Sequence, residues 1–212
     1  MSQTPLKTIK NVVFDMVGVL MRFDTEGYYR AHDIAPGDRE ILSREVFRSL
    51  EWAIQDRGAI SEADAAAAIC GRVPARLHGA VRDFVYRQNR AILPVEGMAA
   101  LLRDLKGAGC KLFLLSNTSV AYHRFRSGIP GMECFDGEMV SADVGLVKPD
   151  PTIFRLAFER FGIVPGESAF IDDTPINAEA AHHLGMRAFV FNGDVNGLRA
   201  WMGKLGIEMQ GR

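Results

Sequence analysis

Three short apolar runs in this chain each end on polar side chains able to do chemistry. Val12, Val13 and Phe14 lead to Asp15, Leu112 to Leu115 lead to Ser116 and Asn117, and Ala169 to Ile171 lead to Asp172 and Asp173. Lys148 stands just ahead of Asp150 and Pro151, an N-cap and first-turn pair that opens a helix. Asp15 alone is ambiguous, since a strand-end aspartate followed by a glycine (Gly18) serves a turn cap as readily as a reaction centre. Several such ends together are not. In a parallel sheet all carboxyl ends of strands share one edge, so these groups converge on one crevice. Three carboxylates there repel one another, and a divalent cation with oxygen ligands, most simply Mg²⁺, relieves them. A lysine and a serine hydroxyl beside such a cation suit a phosphate oxygen better than a neutral ligand.

The elements that must position these groups follow from the hydrophobic pattern. Runs at 12–14, 111–115, 168–171 and 187–191 read as buried strands, alternating with helices from Pro94 onward. Met98, Leu101, Leu102 and Leu105 define one helix that stops near Gly107 and Gly109, and a later helix runs from Asp150 to Gly162. Between about Asp24 and Ile92 only helical spacing is present: Leu42, Val46 and Leu50 in one segment, and Leu77, Val81, Phe84 and Val85 in another, with Ser61 as a cap between them. The fold class is α/β, a doubly wound parallel sheet with an inserted all-helical block. That block carries many arginines and no lysine, and solvated helix faces account for all but one or two of them.

Composition narrows the partners. With 48% hydrophobic and 24% charged residues the chain reads as an ordinary globular protein, and a net charge of −1 offers nucleic acid or anionic membranes no bulk attraction. Cys70, Cys110 and Cys134 have no metal-binding spacing and read as buried thiols of a reducing compartment. The N-terminal segment lacks a secretory pattern and no stretch is long enough to span a bilayer, so a cytoplasmic location is expected, as a monomer or homodimer.

Taken in order, Phe14 to Leu20, Leu114 to Asn117, Gly145 to Asp150 and Phe170 to Asn177 resemble the four motifs of the haloacid dehalogenase-like hydrolase superfamily. The chain is most similar to members with a small helical cap, such as those related to α-glucose-1-phosphate phosphatases. The resemblance implies a Rossmann-like core from 1–20 and 94–212 and a cap from 21–93. It implies Asp15 as the nucleophile that forms an aspartyl-phosphate, and Ser116, Asn117 and Lys148 as phosphate-binding groups, Lys148 also offsetting charge on Asp15. Mg²⁺ would be held by Asp15, Asp173, Asp172 and the main-chain carbonyl of Val17, with Asn177 in support. The implied substrate is a small phosphorylated metabolite such as a sugar phosphate.

One position departs from that pattern. Phosphatases of the family usually carry a second aspartate two residues after the nucleophile as general acid and base, and this chain has Val17. General acid–base help is worth about 10² to 10⁴ in rate. Its loss favours leaving groups that need little protonation, such as anomeric sugar, aryl or acyl phosphates. The alternative is a catalytically impaired phosphate-ligand sensor or scaffold. Schiff-base phosphonate hydrolysis is disfavoured because no lysine lies between Asn11 and Leu105, and dehalogenation because of the Asp172–Asp173 pair. Tyr28, Tyr29, Trp52 and Tyr86 are candidates for lining the substrate pocket, with cap core the favoured reading, the pair His182–His183 is given no role, and Thr118 and His123 are candidates for reaching the leaving group.

Overall fold

The computed structural model describes residues 8–209. Its centre is a five-stranded parallel sheet: β1 Asn11–Phe14, β4 Lys111–Ser116, β5 Gly137–Val140, β6 Ser168–Asp172 and β7 Arg187–Val190, in spatial order β5-β4-β1-β6-β7. β1 is buried at all four residues because it pairs on both sides, Phe14 lying level with Leu114 of β4 and Ile171 of β6. Strand order reverses at β1, so a crevice opens above its carboxyl end between β4 and β6. The apolar runs of β1 and β6 therefore deliver Asp15 and Asp172 to one level, with Ser116 one residue further along β4 on the same edge.

A short antiparallel ribbon, β2 Met21–Phe23 with β3 Ile92–Pro94, leaves the edge of this crevice. Between its strands run five helices: α1 Thr25–Ala31, α2 Pro36–Leu42, α3 Leu50–Asp56, α4 Glu62–Cys70 and α5 His78–Tyr86. They bury a cluster of their own that includes Tyr28, Tyr29, Leu42, Ile69, Val81 and Phe84. Six further helices accompany the main sheet: α6 Met98–Gly107, α7 Tyr122–Phe125, α8 Ser141–Val144, α9 Pro151–Phe161, α10 Pro175–His183 and α11 Val195–Lys204. One apolar cluster, with Leu101, Leu105 and Leu198, covers one face of the sheet, and a second, with Ile153, Phe154 and Ala181, covers the other.

The caps at Ser61, Asp150 and Gly162 stand as the sequence indicates. Leu50 does not continue the segment of Leu42 and Val46: it is 69% exposed, because a wider helical turn at Ser43–Phe47 ends that segment and Ser49 caps a new helix through the Trp52 N–H. Strand β5 carries only two buried residues, Met139 and Val140, and the pattern of an edge strand this short is not legible. The same holds for the three-residue ribbon strands β2 and β3. Cys70, Cys110 and Cys134 are free and buried. No helix among the described residues is long and apolar enough to cross a membrane.

Candidate active site

The buried centre of the crevice is Lys148. Its ammonium lies 2.8 Å from Asp15 Oδ1 and 2.7 Å from Asp172 Oδ2, and it donates to the Leu115 carbonyl at 2.8 Å. Three donors meet three acceptors, so the lysine is saturated by the protein itself. Its side chain is 1% exposed. The resemblance implies Lys148 as a phosphate-binding group that also offsets charge on Asp15; here two of its donors join the Asp15 and Asp172 carboxylates and the third goes to the Leu115 carbonyl. Burial works against its charge, but Asp15 and Asp172 outweigh that and raise its pKa above the usual lysine range.

Asn117 secures the lysine from outside. Its amide donates to the Lys148 carbonyl at 2.9 Å and accepts the Lys148 N–H at 2.8 Å, closing the Lys148 loop against the end of β4. Ser116 is 1% exposed at the tip of β4, while Thr118 two residues on borders the cavity, its N–H held by Ser141 Oγ at 2.9 Å. His123 turns away to a hydrogen bond with Asp143 at 3.0 Å; of the two candidates for the leaving group, only Thr118 lines the cavity.

Asp172 is fully buried and accepts from Lys148, from the Thr174 N–H at 2.8 Å and from the Asn177 amide at 3.1 and 3.2 Å. Pro175 at the start of α10 removes a backbone donor where none is required, and Asn177 one turn in faces back to Asp172. Asp173 points the other way, toward the loop after β1. Gly18 in that loop has φ of 96°, and a Cβ there would overlap the Asp173 carboxylate, so glycine is required both by the backbone and by the neighbour.

Oxygens of Asp15, Asp172 and Asp173 come within 4.8 Å of one another. Burial, reinforced by Asp172 and opposed by Lys148, pushes the Asp15 carboxyl up to about 6. Burial and Asp172 raise Asp173 as well. The cluster carries more negative charge than one lysine balances, and its donor set is all oxygen, which fits a hard divalent cation.

Above this floor lies a cavity of about 420 Å³. Its floor is Asp15, Lys148 and Asp173, and Val17, which packs on the apolar core, borders it. Arg22, Phe23, Trp52 and Gln88 reach it from the ribbon and cap. Trp52 is thus a cavity residue rather than cap core alone; it also packs on Phe23 and Phe84, with ring centroids 5.9 and 5.3 Å away. Tyr28 and Tyr29 are core, as expected. Asp56, one turn after Trp52, is a residue that sequence pattern misses. Burial, lessened by a hydrogen bond from Trp52 and strengthened by the Asp15 charge, pushes its carboxyl up to about 7.

Residues 9–185 match the haloacid dehalogenase-like hydrolase family. The chain is 27% identical over 183 residues to a sesquiterpene phosphatase of Aspergillus oryzae, covering 84% of this chain and 88% of that one. It is 24% identical over 190 residues to an (S)-2-haloacid dehalogenase of a Pseudomonas species, covering 86% and 83%. Among solved structures, a haloacid dehalogenase family enzyme of Bacteroides thetaiotaomicron in complex with magnesium and inorganic phosphate superposes with a TM-score of 0.69 at 25% identity, over 90% of this chain and 98% of that one. Together with a parallel sheet that carries its acidic groups at the carboxyl ends of adjacent strands, these findings mean that the chain belongs to the haloacid dehalogenase-like hydrolases.

Proposed function

We propose that this hydrolase cleaves small phosphate monoesters through an aspartyl-phosphate at Asp15. The observation that carries the reading is Asp15 itself: a cavity-facing carboxylate with Oδ1 fixed by a buried, saturated lysine, beside two further aspartates. Oδ2 attacks phosphorus in line, the P–O bond to the leaving group breaks, and the departing oxygen takes a proton from solvent water, Val17 offering none. Water then attacks the same phosphorus and returns Asp15 as a carboxylate with release of inorganic phosphate. Lys148 keeps Asp15 ionised for the attack and holds its carboxyl group in place through both steps.

Asp15, Asp173 and the Val17 carbonyl, with Asp172 behind them, are the groups to hold Mg²⁺. When bound, that ion offsets charge on the phosphoryl oxygens. The Bacteroides relative with magnesium and phosphate and the Aspergillus phosphatase support this reading over dehalogenation. So does the Asp172–Asp173 pair.

The apolar Val17 favours one second reading, a phosphate-ligand sensor that turns over negligibly. A panel of alkyl, sugar and aryl phosphates with Mg²⁺, scored by phosphate release, separates the two. Hydrolysis that climbs with leaving-group acidity and falls by at least about 10³-fold in Asp15→Asn supports the enzyme. Tight binding without phosphate release supports the sensor, and halide release from 2-haloacids would overturn both.

A further inference from the structure

The ribbon and cap contribute two polar side chains to the cavity that the chemistry above leaves unused. Arg22, on β2, is an exposed residue that lines the cavity, and its guanidinium has no hydrogen-bond or ion-pair partner among the described residues. This sets it apart from many arginines of the cap. Arg39 pairs with Glu26, Arg48 with Glu40, Arg72 with Glu51, Arg76 with Asp38 and Arg90 with Asp83. Gln88, in the turn that leads into β3, is 9% exposed, lines the same cavity and has no partner among the described residues. The body of Gln88 is buried while its carboxamide, without a protein partner, is left open to a ligand in the cavity. The walls beside them are apolar: Phe23, Trp52, Ile92 and Phe125.

We propose that Arg22 and Gln88 form a carboxylate subsite, so that the preferred substrates are phosphomonoesters whose leaving group joins an apolar or aromatic body to a carboxylate. The proposal rests on the phosphomonoesterase reading and adds the class of leaving group to it. A guanidinium edge matches the two oxygens of a planar carboxylate, and the Gln88 amide supplies a further N–H donor. Asp15 and Asp173 make the floor acidic, so a second anion on the substrate needs its own cation at the far end. Arg22 is the cation on that wall. Phe23 and Trp52 meet at 63° between ring planes and present apolar surface to the body between the two charged ends.

The test compares carboxyphenyl phosphate with its carbamoylphenyl isostere, whose leaving group has the same shape and similar acidity but no charge. The ratio of their kcat/KM values is independent of the fraction of enzyme that is folded. The expected ratio is roughly tenfold or more in favour of the carboxylate, collapsing toward unity in Arg22→Met, partly retained in Arg22→Lys and reduced in Gln88→Leu. An equal loss on both esters in Arg22→Met would place the arginine on the transferring phosphoryl group and overturn the subsite. A ratio near unity in the wild type would overturn it too. Should neither ester be hydrolysed, the phosphomonoesterase reading fails separately. Calorimetric binding of carboxyphenylphosphonate against carbamoylphenylphosphonate then decides the subsite alone, a tighter carboxylate in the wild type and not in Arg22→Met supporting it and equal affinities overturning it.

Discussion

The floor of the cavity and its cap-side wall are built on opposite terms. On the floor the buried polar groups are paired: Lys148 spends three donors on three acceptors, and Asp172 accepts from a lysine, a backbone N–H and an amide. On the wall, Arg22 and Gln88 have no protein partner among the described residues and stand among aromatic rings. A closed network in a low-dielectric site fixes geometry and resists change, which suits a step common to every substrate. Unpartnered side chains on a short ribbon strand and the turn beside it leave their interactions for the ligand to complete, which suits selection among substrates.

Breaking the floor carries the largest effect. Lys148→Met leaves Asp15 and Asp172 buried without their shared cation and lowers stability by about 3–5 kcal/mol, measured by denaturant unfolding. The loss is greatest at pH 8 and shrinks toward pH 5, because the orphaned carboxyls are then neutralised by protons. The next effect sits where floor and cap face each other. The Asp56 carboxyl titrates near 7 in the fold and near 3.9 in the unfolded chain. Its contribution is therefore fully present below about pH 4 and is lost as pH rises toward 7. Asp56→Asn removes that dependence, so in metal-free buffer the variant gains on the wild type by about 4 kcal/mol between pH 4 and pH 8. The smallest effect is at the joint between the two regions: Gly18→Ala forces a side chain into the left-handed conformation and onto Asp173. It costs about 1–3 kcal/mol and raises the Mg²⁺ concentration needed for half-maximal activity more than it raises KM for the ester.

The same contrast explains what the sequence makes legible. Asp15, Lys148, Asp172 and Asp173 are readable because strand ends of a parallel sheet share one edge, so one-dimensional position already implies three-dimensional convergence. The partners of those groups are less so. That Asn117 is spent on the Lys148 backbone, and that Lys148 has no donor left over, depends on loop geometry that spacing does not encode. On the wall, Arg22 is one arginine among many, and helical periodicity ranks it no higher than the surface pairs. Trp52 and Asp56 are hidden for a further reason. Ser49 resets the helical phase after Ser43–Phe47, so the face that α3 turns to the cavity cannot be extrapolated from Leu42 and Val46.

The central claim, that Asp15 takes the phosphoryl group, is tested most directly by trapping it. Enzyme turning over an aryl phosphate with Mg²⁺ is acid-quenched, reduced with borohydride and digested, and the peptide containing residue 15 is analysed by mass spectrometry. The account predicts homoserine at position 15 in the wild type and none in Asp15→Asn. Sustained phosphate release with residue 15 recovered as unmodified aspartate would contradict it.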